Sequence, residues 1–298
     1  MTTPEIGTFG LIAFDTALPF DVSSIPIEII LPESLVETAE IIETNGMTGT
    51  TDHNKERTRE GLKRVSGSIK IACSRIALDT LLPYICGTAE ATNVFALADT
   101  LPEFLLLIDR GAKVYTYTGC RIAKATFSGA KGDFLFLDLE IEAEAETVGN
   151  AGTFTPLTAP TEKPFLMADG MLTLQAATRS FENFSLTIEN RLNTELFENG
   201  LTRHDIPLID RVITLATDHP WDTDNTDLVK QDLDGAAGTL VFTNAEVITD
   251  VLTFEMAAIQ YANITPSMGG KDVIRLPLQG MVRSSGTTKS LIVTNAHA

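Results

Sequence analysis

The chain has 298 residues, 44% of them apolar, which suffices for two ordinary domains with a real core. It carries 22 Lys and Arg against 40 Asp and Glu, a formal net charge of −18. That balance excludes non-specific gripping of nucleic acid, which needs basic contacts to phosphate, and no apolar run approaches the roughly 20 residues of a membrane-spanning helix.

Met1 to Gly10 lacks a basic leader region, and Asp15 interrupts the apolar stretch that follows. The expectation is therefore no secretory leader and folding in a cytoplasm. Strand patterns then dominate. Ile25 to Leu31 is β-branched and apolar around Glu28. A long polar excursion from Pro32 to Glu60 follows, with Asn45-Gly46, Asp52, His53, Asn54, Lys55, Glu56, Arg57 and Arg59 within it. Arg64-Val65 opens an alternating stretch, and Ser74 is placed to cap a helix over Arg75 to Ile85 that Gly87 ends. Strands are predicted at Phe104 to Ile108, Val114 to Ala123 and Phe134 to Glu146, the last two joined by the turn Gly129 to Asp133.

The segment Val148 to Lys163 is rich in Gly, Thr and Pro, a linker composition that places a boundary near residue 160. Beyond it the same order recurs. Phe184 to Ile188 alternates as a strand, and a second excursion runs from Glu189 to Asp205 with Asn199-Gly200 at its tip and Arg203 near its end. Arg211-Val212 opens a further stretch, and a helix is predicted over Asp224 to Lys230, capped by Asp222 or Thr223. Strands follow at Thr239 to Thr243, Val251 to Tyr261 and, after the turn Gly269 to Asp272, Val273 to Val282. The expected architecture is mostly β, an α+β arrangement of two tandem barrel or sandwich modules over residues 1–160 and 161–298. Each has a short flanking helix and a long projecting arm, residues 32–60 and 189–205.

No nucleophile elbow, zinc-protease helix, phosphate loop or dinucleotide fingerprint is present, so no catalytic residue and no cofactor are expected. The histidines His53, His204, His219 and His297 read as loop or terminal side chains, and Cys73, Cys86 and Cys120 as buried thiols. The acidic run Asp222, Asp224, Asp227 lacks the glycine and closing glutamate of a calcium loop and reads as helix capping. Along the last first-half strand, Asp138, Glu140, Glu142, Glu144 and Glu146 share one face while Leu137, Leu139, Ile141, Ala143 and Ala145 share the other. That acidic face is a candidate channel wall or partner ridge. The equivalent second-half strand carries Arg275 and Arg283, so acid and base on neighbouring modules form a candidate interface.

The stretches Arg64-Val65-Ser66-Gly67-Ser68-Ile69-Lys70-Ile71, Ile76-Ala77-Leu78-Asp79-Thr80-Leu81-Leu82 with Gly87, Phe184-Ser185-Leu186-Thr187-Ile188-Glu189-Asn190 and Asp210-Arg211-Val212-Ile213-Thr214-Leu215 resemble the tail tube (major tail) proteins of long-tailed bacteriophages. The resemblance covers about Phe20 to Val293 and implies a structural virion protein of the tail, assembled in the host cytoplasm. By that resemblance, modules form rings whose inner sheets line a tube that DNA traverses without specific binding. Extended arms, here Asn54, Lys55, Glu56, Arg57, Arg59, Glu60, Asn199 and Arg203, stack the rings. The implied partners are the chain itself, a tape measure protein, a tail terminator and distal tail proteins, with no membrane. Two modules per chain turn the usual hexameric ring into a trimeric, pseudo-hexameric one. The alternative reading is a baseplate, receptor-binding or calcium-dependent adhesin module.

Overall fold

The computed structural model describes residues 11–16, 25–30, 32–44, 46, 52–53, 55–87, 91–150, 161–266, 268 and 273–297. The first half supplies β1 (Leu11–Asp15), β2 (Ile25–Pro26), β3 (Val36–Glu43), β4 (Thr58–Ala72), the helix α1 (Arg75–Cys86), β5 (Val94–Ala96), β6 (Phe104–Asp109), β7 (Lys113–Ala130), β8 (Phe136–Ala143) and β9 (Ala145–Asn150). The second half supplies β10 (Gly170–Leu174), β11 (Ala177–Arg179), β12 (Asn183–Leu192), β13 (Leu208–Pro220), β14 (Asp232–Thr243), β15 (Val251–Tyr261), β16 (Arg275–Arg283) and β17 (Leu291–Ala296). The fold is mostly β, and its strand pairs are antiparallel throughout.

The repeat seen in element order is also a repeat of strand pairing. β8 lies between β4 and the C-terminal part of β7, and β16 likewise lies between β13 and the C-terminal part of β15. The N-terminal part of β7 is held between β6 and β9, and that of β15 between β14 and β17. β1 flanks β6 as β10 flanks β14. The halves are joined through β7 and β12, which pair from Asn183↔Ala130 to Glu189↔Lys124. Their apolar faces merge into one core, in which Phe127 of the first half meets Phe254 of the second edge-on at 4.9 Å.

Several predicted elements shift. The strand predicted over Ile25 to Leu31 is reduced to β2 and one isolated bridge, Ile30↔Lys70. Pro26 has no N–H to give a ladder, and Leu31 lies outside the described residues. The helix predicted over Asp224 to Lys230 is a single 3-10 turn, Thr226–Val229. Asp222 Oδ1 accepts from Asp224 N (3.1 Å) and Asn225 Nδ2 (2.9 Å), and these local bonds compete with helix propagation. α1 runs as predicted, but its cap differs. Ser74 makes no side-chain cap bond, and Glu162, near the end of the linker, accepts from Ile76 N at 3.1 Å and Arg75 Nη2 at 3.1 Å. β7 extends through Gly129 and Ala130, so the predicted turn shrinks to Lys131–Asp133. The linker core 151–160 and the turn 269–272 lie outside the described residues.

Candidate functional site

The strands β4, β8, β7, β12, β13 and β16 follow one another in a continuous sheet that spans both halves. One face is apolar and buried, carrying Ile69 and Ile71, Leu137, Leu139 and Ile141, Ala125 and Phe127, Leu186 and Ile188, Ile213 and Leu215, and Leu276 and Leu278. Directly paired residues on antiparallel strands point to the same side. The register therefore fixes the opposite face without side-chain argument. Lys124 is flanked by Glu140 and Glu189, Thr126 by Asp138 and Thr187, and Ser128 by Phe136 and Ser185. Ser66, Ser68 and Lys70 continue it at one end, and Thr214, Ala216, Gln279 and Met281 at the other.

This face differs from the predicted acidic ridge. The strand predicted over Phe134 to Glu146 is broken at Glu144, where the chain leaves β8 for β9. Only Asp138, Glu140 and Glu142 remain on the outer face of β8. Glu146 belongs to β9, beside the other end of β7, and its Oε2 accepts from Glu37 N at 3.2 Å. The three acids of β8 also meet bases of their own chain. Lys124 Nζ lies 2.7 Å from Glu140 Oε1, Lys70 Nζ 3.8 Å from Asp138 Oδ2, and Arg203 Nη1 2.7 Å from Glu142 Oε2. Burial raises the Glu142 carboxyl above the usual carboxylate range, and the Arg203 guanidinium opposes that shift. Between the charged ends lies a band of hydroxyls, in which Thr126 Oγ1 and Thr187 Oγ1 are 3.3 Å apart across the junction.

Arg275 and Arg283 stand on the outward positions of β16, on the same face as the β8 acids. Four strand spacings, roughly 19 Å, separate them within the chain. Arg275 Nε is instead bonded to Glu182 Oε2 at 2.7 Å, and Arg283 Nη2 lies 3.4 Å from Met281 Sδ.

The two predicted arms are unlike. β3 and the start of β4 form a hairpin exposed on both sides, with Ile41 80% and Ile42 53% exposed. Lys55, Glu56, Arg57, Arg59 and Glu60 are all exposed on it, and Glu60 lies 2.9 Å from Lys63. Asn54 lies outside the described residues. The second excursion does not project. Its first residues, Glu189 to Leu192, belong to β12, and residues 193–207 fold back on the base of the first hairpin. Lys63 N donates to Leu201 O at 2.7 Å, Arg64 stacks over the buried Phe197 ring at 5.3 Å, and Arg64 Nη2 reaches Glu195 Oε2 at 3.0 Å. Asn199 remains exposed at the turn, but Arg203 is buried and donates to Val65 O and Ala143 O at 3.1 Å each. Arg203 is an internal tie between the halves, not an exposed arm residue.

The run Asp222, Asp224, Asp227 does not gather around a common point. Asp222 is engaged as above, and Asp227 holds the buried Arg179 through a two-pronged pair at 2.9 and 2.7 Å, which keeps its carboxyl below the usual range. Trp221 packs half-buried against the core. Cys73, Cys86 and Cys120 are buried free thiols, and burial pushes Cys86 up to about 12.

The sheet is thus continuous across the two halves and polar on one side. A family model described as phage tail tube protein matches residues 5–282. The chain belongs to that family. No curated protein sequence matches it. This tail tube protein is thus a structural component of a phage tail, and its family is not one of enzymes. Sequence patterning alone missed Lys70, Lys124 and the hydroxyl band of this face. Each is an ordinary strand residue, and only the register across β7 and β12 brings them together.

Proposed function

We propose that the chain polymerises as stacked rings of three copies, giving a pseudo-sixfold tube through which DNA is delivered. The polar face of the β4-β8-β7-β12-β13-β16 sheet lines the channel. The observation that carries this reading is the β7–β12 junction, where one module adds its sheet to the next. The C-terminal part of β7 carries β8 on one edge and receives β12 on the other, whereas the same part of β15 carries β16 on one edge and, among the described residues, meets only Asp232 and Ala236 of a bulged β14 on the other. The first-half counterpart of β12 is the segment around Ile25 to Ile30, which touches β4 through one bridge. On this reading the next copy brings that segment to β15, and ring closure leaves no strand edge open.

The β3–β4 hairpin supplies the contact between rings or subunits, with Ile41 and Ile42 as its apolar part and Lys55, Glu56, Arg57 and Arg59 setting register. Tape measure, terminator and distal tail proteins are the further partners, met at the ends and inside of the tube during assembly in the host cytoplasm. Reconstruction of the assembled tube tests the reading. Three full-length chains per ring are expected, and six would overturn it.

A further inference from the structure

Glu144 sits at the corner between β8 and β9. Its N–H donates to Thr118 O at 3.0 Å, and its carboxyl group lies against Gly119, whose φ is +60°. A Cβ placed on Gly119 would fall 2.3 Å from Glu144 Cδ, so only glycine admits the carboxyl there. Two further carboxylates converge on it, Glu103 from the segment before β6 and Asp205 from the 193–207 segment of the second half. Oxygens of all three lie within 4.8 Å of one another. One guanidinium serves the group. Arg121 of β7 donates to Glu103 Oε1 at 2.7 Å and to Asp205 Oδ1 at 2.5 Å. Among the described residues no ion pair reaches Glu144. The other titratable or charged groups about the corner are His204 beside Asp205, the buried Cys120 of β7, and the Arg203–Glu142 pair.

Three carboxylates around one cation repel unless one of them is neutral. We propose that this corner is a proton-operated clasp: a proton held by Glu144 among Glu103 and Asp205 fastens the 193–207 segment to the first-half sheet, and its loss loosens that segment. The operating range is neutral. Burial first, and then the Glu103 charge, push the Glu144 carboxyl up to about 7, with Arg121 opposing. A raised folded value contributes stability that is full below the ordinary carboxylate range and is lost as pH rises through about 7. Loosening stays confined to that segment, because the flanking strands β12 and β13 keep their own ladder. The clasp belongs to the single chain and stands or falls independently of tube formation.

Amide hydrogen exchange of the full chain, corrected for the intrinsic effect of pH, tests it. Protection of residues 193–207 is expected to fall by up to about tenfold between pH 6 and pH 8, while β7 and β12 stay unchanged. Glu144→Gln, which mimics the protonated acid, should keep the segment protected at both pH values. Glu103→Gln should move the fall to lower pH. A wild-type segment equally protected at both pH values overturns the clasp. So does an unchanged fall in Glu144→Gln, which would assign the effect to His204. Should Glu144→Gln not fold, an unmoved midpoint in Glu103→Gln decides against it.

Discussion

Arg203 and Glu142 come from opposite halves of the chain and meet at 2.7 Å, with the Arg203 side chain only 3% exposed. The same guanidinium also serves three main-chain carbonyls, Thr194 O, Val65 O and Ala143 O. A buried cation so placed is costly to remove from one side only, because its partners lose their donor and keep their desolvation cost. Arg203→Met should therefore destabilise the chain by about 3–5 kcal/mol in denaturant titration. It should also raise the Glu142 carboxyl further, since the group opposing its burial is gone. A loss of less than about 1 kcal/mol would show that the pair is no more than a surface bridge.

The cap of α1 gives a second, cleaner comparison. Ser74 occupies the N-cap position, yet Glu162 carries the side-chain bond to Ile76 N and the charge at the helix N-terminus. Glu162→Ala should cost about 1 kcal/mol in chemical denaturation, while Ser74→Ala should cost only a few tenths. The reverse order would return the cap to Ser74.

These two contacts show where sequence reading stops. Alternation gave β8 and β12 directly, since strands buried on one side must read apolar every second residue, and β15 and β16 were legible as strands. α1 was legible from its apolar spacing and Gly87. The cap was not, because a serine before a helix is the local expectation and Glu162 arrives from the end of the linker, 86 residues further along the chain. Likewise Asp138, Glu140 and Glu142 were legible as one face, but Lys70 and Lys124, which neutralise two of them, lie on neighbouring strands whose register no single segment encodes. The break at Glu144 was hidden because the apolar–acidic alternation continues through it. The cause is on another strand, at Gly119 and Thr118. The second arm failed for the same reason: Arg203 looks exposed in a polar run, and its partners Val65 O, Ala143 O and Glu142 are sixty or more residues away in sequence.

His219 supplies a pH prediction on the acid side. It is fully buried, with Nδ1 donating to Ser180 O at 2.8 Å and Nε2 accepting from Thr217 Oγ1 at 2.8 Å. Burial holds its pKa below the ordinary histidine value, and Arg179 adds to that. A depressed value means that stability is full above about 6.5 and is lost as pH falls through the folded-state value. His219→Gln should lower stability at pH 8 but flatten the acid limb of the stability–pH curve. An acid limb as steep as in the wild type would place its origin in the carboxylates.

The exposed hairpin separates folding from assembly. Ile41 and Ile42 lie on opposite sides of β3 and neither enters the core. Replacing both with lysine should leave thermal unfolding of the monomer within about 0.5 kcal/mol of wild type, as for other surface changes. Electron microscopy should then show rings or tubes greatly reduced in number. Tubes of ordinary length and yield would remove the hairpin from the assembly contacts.

On the proposed reading of this polar face as the channel wall, its charge decides how DNA would pass. Its acids are largely paired with Lys70, Lys124 and Arg203, and its centre is hydroxyl-lined, so the wall offers DNA neither a strong repulsion nor a row of cations. A basic wall would bind the phosphates by counterion release, with log affinity falling by about 0.9 for each contact per decade of salt. Thr126 and Thr187 face each other across the β7–β12 junction, at the middle of this face. Lysine at both positions adds two cations to the hydroxyl band, the one at position 126 directly opposite Asp138 of the Lys70 pair. If the face lines the channel, Thr126→Lys with Thr187→Lys should leave tubes intact, and virions carrying it should release DNA slowly at low salt and faster as salt rises. Rings that fail to form would place the face at a subunit contact. Normal tubes with normal, salt-independent release would leave it as a plain solvent-facing sheet and turn the channel to another surface.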